Sequence, residues 1–331
     1  MNIVNLLLLD IKPFLACNLA CSFCHEHAKR VQFGEKIYSI TPELLRHRFS
    51  YYLQCIKQTL QTYSSINKID CSMMGGELFQ NRFDQSIFDE YAAFLKSFTS
   101  LGVATQISLT TNLLCNDVVL QALITLVKQF NISITASFDL YGRYSLAKQA
   151  DLFVKNCHTL RSAGIEPLIS TVLHRKNIEC IQEKKGFYSQ FKKLYDENFK
   201  IVTVQYYNNT SKELHVDQQL LIDTYKYFIQ HYPKLHEIKQ LLLRYKNAIA
   251  INRAIVKTVT MSCIQERIKV KDLTDRLQSF ADSHCISCKY YNCCYTGGAV
   301  YKKDTISQYA IECIDKILFD YIDDQYKKLE S

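Results

Sequence analysis

An α/β fold built on a parallel sheet is predicted by three features of the chain. Apolar, β-rich runs alternate with longer amphipathic stretches from the N-terminus to about residue 206, which is the pattern of repeated strand-helix steps. The 331 residues, 48% hydrophobic and 22% charged, suffice for one large domain and a small one. The apolar run Leu6 to Leu9 is short, is closed by Asp10 and Lys12, and lacks a basic start, so it reads as a buried strand and not as an export signal or a membrane span.

Taken in order, the expected strands are Ile3 to Asp10, Lys68 to Met74, Ala104 to Thr111, Ile132 to Phe138, Ile165 to Leu173 and Lys200 to Tyr206. Each is a short apolar run rich in β-branched residues. Helical patterns cover Pro42 to Thr62, Gln85 to Leu101, Asp117 to Phe130, Ser145 to Ala163 and Phe187 to Asn198. From about 213 to 255 the sequence stays helical, and its many Tyr and Leu residues read as packing. Such a sheet either opens into a doubly wound fold or curls toward a barrel, and both place their chemistry at the C-terminal ends of the strands. Periodicity alone does not choose between them.

Two motifs occupy such strand ends. Cys17, Cys21 and Cys24 follow the first strand in the run CNLACSFC, with Phe23 just before the last thiol. A structural zinc site closes its tetrahedron with four protein ligands, which three thiols do not supply unless His25 or His27 joins them. Three thiolates suit a four-iron cluster with one iron left open to a small molecule. After the second strand comes Gly75-Gly76-Glu77, in a chain with only nine glycines. The pair implies a sharp bend or a close backbone approach, and the adjacent carboxylate suits an ammonium group. Alone, the tripeptide would be an ordinary strand-to-helix turn.

Together these motifs resemble the radical S-adenosylmethionine (radical SAM) enzymes, with Leu78 where that family usually has Pro. The resemblance implies a partial (β/α)6 TIM-like barrel. It implies a SAM-binding 4Fe-4S cluster on Cys17, Cys21 and Cys24, and S-adenosyl-L-methionine held in part by Gly75, Gly76 and Glu77. It also implies that Asn112, Ser137, Asp139 and Arg143 line the cofactor or substrate site, with Ser170 near the ribose and Gln205 as a further contact. From the residues themselves, Asn112 and Asp139 also suit turns, and the planar fork of Arg143 suits a carboxylate.

A second cysteine group, Cys285, Cys288, Cys293 and Cys294, lies in HCISCKYYNCCYTGG, with Cys313 beyond and Cys263 upstream. Zinc and iron-sulfur both take four thiolates, and the residues do not separate them. By resemblance, Cys285, Cys288, Cys294 and Cys313 match an auxiliary 4Fe-4S cluster of the SPASM/twitch-type subgroup, with Cys263 or Cys293 as substitute ligands. The implied domains are a radical SAM core over 1–210, a helical bridge over 211–255 and a small auxiliary cluster domain over 256–331. Cys55, Cys71, Cys115, Cys157 and Cys180 read as ordinary buried thiols.

The resemblance implies a radical oxidoreductase: a 5′-deoxyadenosyl radical removes hydrogen from a substrate C–H bond, most often to crosslink or epimerise a ribosomally made precursor peptide. The alternative is dehydrogenation or epimerisation of a small molecule such as an aminoglycoside or sugar. Cys293 would be the hydrogen donor of an epimerase; no other catalytic residue is assigned. An electron donor of the flavodoxin or ferredoxin type is implied. The N-terminus leaves no room for a leader-binding domain, so a separate leader-binding protein is a further expected partner. A zinc-binding interaction protein is the rival from another class, and it leaves Gly75-Gly76-Glu77 unexplained. The net charge of +8 is spread along the chain in isolated Lys pairs, so no nucleic-acid or membrane partner is expected. Fourteen cysteines without an export signal point to metal in a cytoplasmic protein.

Overall fold

The computed structural model describes residues 5–24, 26, 36–205, 213–245, 257–272 and 314–330. Its strands are β1 Asn5–Lys12, β2 Lys68–Met73, β3 Ala104–Thr111, β4 Ser133–Ser137, β5 Leu168–Leu173, β6 Lys200–Gln205, β7 Lys257–Ile264 and β8 Arg267–Asp272. Its helices are α1 Pro42–Thr62, α2 Gln85–Thr99, α3 Asp117–Phe130, α4 Ala147–Ser162, α5 Arg175–Glu183, α6 Tyr188–Asp196, α7 Gln218–His231, α8 His236–Tyr245 and α9 Ile314–Glu330.

All the strands join one sheet in the order β6-β5-β4-β3-β2-β1-β7-β8. Every neighbouring pair is parallel except β7 and β8. From β1 to β6 each crossover advances one strand in the same direction. Right-handed crossovers then place their helices on one face, whereas a doubly wound sheet reverses direction partway. The order therefore matches a partial (β/α) arrangement. Among the described residues the sheet stays open, with β6 and β8 as its two ends.

The strand period of two separates the faces of this sheet. One face sends Leu7, Leu9 and Ile11 of β1, Ile69 and Met73 of β2, and Ile107 and Leu109 of β3 into a single core with the helices. Each such side chain contributes about 1.5–3 kcal/mol by leaving water. The opposite face carries Asp10, Asp70, Ser72, Ser108, Ser137, Ser170 and Ser262, none of them fully buried. Under α1 and α2 the core is aromatic: Phe49 stacks on Phe94 with centroids 4.5 Å apart, and Phe79 on Phe88 at 5.6 Å.

Sequence and structure differ at the end of β1, at one helix and at the strands beyond residue 256. β1 runs on to Lys12, because Lys12 precedes Pro13 and such residues favour extended backbone. Helix α5, capped by His174, was not foreseen. The stretch expected to be helical is so over α7 and α8, its residues 246–255 lie outside the described residues, and the unforeseen β7 enters the sheet beside β1. Residues 257–264 and 267–272 thus extend the sheet of the core. At the other edge, Glu237 of α8 accepts the backbone N–H of Thr203 in β6 at 2.9 Å, so a helix covers that strand. Leu318, Phe319 and Ile322 of α9 pack on Leu241 of α8, beside Tyr225 and Ile229 of α7.

Candidate functional site

The C-terminal ends of β1 to β5 converge on one region. After β1 the backbone runs directly along the Gly75-Gly76-Glu77 turn: Gly76 N donates to Phe14 O at 3.0 Å and Glu77 N to Ala16 O at 2.9 Å. A Cβ on Gly76 would lie 1.7 Å from Ala16 O, and Gly75 has φ +144°. No side chain fits at that contact, which is the physical reason for the glycine pair.

The thiol loop is held from its other side as well. Ser22 N donates to Gly142 O at 3.1 Å. Gly142, at φ +79°, would place a Cβ 2.4 Å from Ser22 Oγ. Phe23 packs on His174, ring centroids 4.9 Å apart, and the Arg143 guanidinium lies 5.4 Å from the Phe23 ring. Cys21, Phe23 and Leu214 form a small apolar cluster with Leu19, Cys24 and Val172. Burial pushes the Cys17 thiol up to about 12 and raises Cys21 as well, although Arg143 opposes the latter. Burial also lowers His174 to about 4, so its ring is neutral at pH 7; its Nδ1 accepts the N–H of Asn177 at 3.1 Å.

Glu77 is 1% exposed. Its carboxylate accepts Phe79 N at 3.0 Å, Thr111 Oγ1 at 2.8 Å and Asn112 N at 2.6 Å, which ties the turn after β2 to the end of β3. Burial raises its pKa to about 7 against the pull of those donors and of Arg143. Asn112 donates through Nδ2 to Asn18 Oδ1 at 2.8 Å, inside the thiol loop.

Asp139 is fully buried after β4. It accepts Arg143 Nε at 2.6 Å, Val172 N at 2.8 Å and Asn177 Nδ2 at 2.8 Å, joining β4 to β5 and α5. Burial raises its pKa while Arg143 opposes the rise, and the carboxylate in turn raises that of Arg143. Ser137 and Ser170 are register partners on β4 and β5. Gln205 ends β6 opposite Leu173; its side chain lies outside the described residues.

Three thiols in one loop are a donor set that fits an iron-sulfur cluster. Among the described residues no three His, Cys, Asp or Glu side chains converge on one ion. Thiolates that each bind a different iron of a cluster stand farther apart than ligands sharing one ion. None of the described cysteines forms a disulfide. Cys285, Cys288, Cys293, Cys294 and Cys313 lie outside the described residues, as do His25 and His27. Cys263 sits on β7 with its side chain fully buried in the helix-facing core. Cys71, Cys115, Cys157 and Cys180 are buried and Cys55 is half-buried. No described helix is long and apolar enough to cross a membrane.

Sequence reasoning missed Gly142, His174, Asn18 and Leu214. A glycine in a polar turn and a histidine capping a helix carry no local signal of what they touch across the fold.

No family model matches the chain, and no curated protein matches it. Its fold is similar to that of native anSMEcpe with bound AdoMet, with a TM-score of 0.56 and 14% identity over 95% of this chain and 95% of that one. It is also similar to native anSMEcpe with bound AdoMet and Cp18Cys peptide, with a TM-score of 0.54 and 14% identity over 87% of this chain and 88% of that one. With the Kp18Cys peptide bound, the TM-score is 0.52 at 14% identity over the same shares.

Proposed function

We propose that the chain is a radical SAM enzyme that modifies a peptide. The observation that carries this reading is the joint built by Gly75 and Gly76, which presses the turn after β2 onto the backbone leading into Cys17, Cys21 and Cys24. Those three residues would hold a 4Fe-4S cluster. When bound, the cluster and S-adenosylmethionine supply one-electron chemistry whose product, a 5′-deoxyadenosyl radical, removes a hydrogen atom from an unactivated C–H bond.

The chain's own residues bind, orient and exclude water. Glu77 spends its carboxylate on Phe79, Thr111 and Asn112, so it shapes the turn, and the turn's carbonyl groups are the acceptors we assign to the cofactor ammonium. Arg143 is anchored through Nε to Asp139, which aims the rest of its fork at the cofactor carboxylate. Ser137 and Ser170, adjacent across β4 and β5, are assigned to the ribose side together with Gln205. Leu214, Val172 and Phe23 keep water from the thiols. We assign Cys285, Cys288, Cys294 and Cys313 to an auxiliary cluster and residues 256–331 to the unit that carries it, with Cys293 held as a hydrogen donor.

The peptide assignment is supported by the shared fold with a protein solved with AdoMet and peptides bound. Reconstituted, reduced protein given S-adenosylmethionine and a precursor peptide from its genetic neighbourhood is expected to release 5′-deoxyadenosine and change the peptide's mass. Release of 5′-deoxyadenosine only with an aminoglycoside or sugar would move the reading to small molecules, and no release with either would overturn it.

A further inference from the structure

We propose that Lys12 and Glu26 clasp the thiol loop shut and are positioning residues for its metal centre. Lys12 Nζ lies 2.6 Å from Glu26 Oε1, with side chains 10% and 8% exposed. The two residues stand 14 positions apart, and all three thiols of the loop fall between them. The pair therefore joins the end of β1 to a residue two positions past the loop's last thiol.

Burying an ion pair is costly unless its geometry is good, and such a pair is better explained by the specific arrangement it enforces than by net stability. Here that arrangement is a closed loop. Its entry is fixed by the hydrogen bonds of Gly76 and Glu77 to Phe14 and Ala16, and its middle by the bond from Ser22 to Gly142. Between Ser22 and the exit, Cys24 N bonds within the loop, to Cys21 O at 3.1 Å. Lys12 and Glu26 supply the exit anchor. Closing a loop has an entropic cost that falls on whatever event orders it. With the clasp formed, that cost is met by the folded chain before a cluster arrives, and Cys24 is held beside Cys21. Lys12 also shares the polar face of β1 with Asp10, whose carboxylate feels both Lys12 and Glu26. The clasp therefore stands on the side of the sheet that faces the site.

The inference rests on the reading of Cys17, Cys21 and Cys24 as the cluster loop, and two measurements separate the failures. Hydrogen exchange of the amides of residues 17–24 in the iron-free full-length chain tests the clasp alone. Lys12→Met and Glu26→Gln are expected to speed that exchange on the order of tenfold, with exchange in β3 and β4 unchanged. Lys12→Arg and the swapped double variant Lys12→Glu with Glu26→Lys are expected to restore slow exchange. Chelator challenge of the reconstituted proteins tests the link to metal. The iron absent from a Cys24→Ala variant is the loop's share, and Lys12→Met is expected to release it on the order of tenfold faster than the parent chain. Wild-type exchange in Lys12→Met, or equal loosening in Lys12→Met and Lys12→Arg, would overturn the clasp. Unchanged iron release from a loosened loop would overturn its role at the metal. A parent chain whose iron content equals that of Cys24→Ala would instead overturn the reading of the loop as a cluster site.

Discussion

Glu77 and Asp139 are both buried carboxylates at strand ends, and each accepts three hydrogen bonds from its own chain. They differ in the donors. Glu77 takes two backbone N–H groups and a hydroxyl, all neutral, whereas Asp139 takes an Arg143 guanidinium as well as an N–H and an amide. The half of the site after β2 and β3 is thus built from backbone geometry around glycines. The half after β4 and β5 is built around a charge pair. The first should respond to pH and to added side-chain volume, the second to removal of charge.

The largest effect is expected where charge is removed. Arg143→Met leaves Asp139 buried without its cation, and about 3–5 kcal/mol of stability should be lost in chemical denaturation, with Arg143→Lys recovering part of it. A loss under about 1 kcal/mol would show that Asp139 is held by Val172 and Asn177 alone.

A smaller effect comes from Glu77, whose pKa rises on folding from 4.5 to about 7. The folded chain binds this proton more tightly than the unfolded chain. Its contribution to stability is therefore full below about 4.5 and is lost as pH rises through about 7. The stability of the parent chain minus that of Glu77→Gln should fall by roughly 3 kcal/mol at most across that window. A difference that stays flat with pH would place the Glu77 proton elsewhere. The smallest change is Thr111→Val, which removes one donor to Glu77 and the acceptor of Leu113 N. It should cost about 1–2 kcal/mol and raise the pKa of Glu77 further.

The same two halves show what a sequence makes legible. β2 to β6 lie within a few residues of their expected ranges, because buried parallel strands are short apolar runs between amphipathic helices. The thiols and the glycine pair were also legible, since their spacing and scarcity are local facts. The charge pair was not legible: the planar fork of Arg143 suited a carboxylate, but the one it meets inside the chain, Asp139, was expected beside it at the site and not as its partner. β7 went unseen although Val259, Met261 and Cys263 alternate with Thr260 and Ser262, because so short an alternation carries little weight beside a long helical pattern. Lys12 and Glu26 went unseen because only the folded loop brings them together. Gly142 looked like any turn glycine until Ser22 was placed against it.

The central claim is that Cys17, Cys21 and Cys24 hold a cluster with one iron open to a small molecule. Its most direct test is the electron paramagnetic resonance spectrum of the reduced, reconstituted chain in which Cys285, Cys288, Cys294 and Cys313 are replaced by Ala. The account predicts about four irons per chain and a spectrum that changes when S-adenosylmethionine is added. A spectrum that S-adenosylmethionine leaves unchanged, or a chain that binds zinc and no iron, would contradict it.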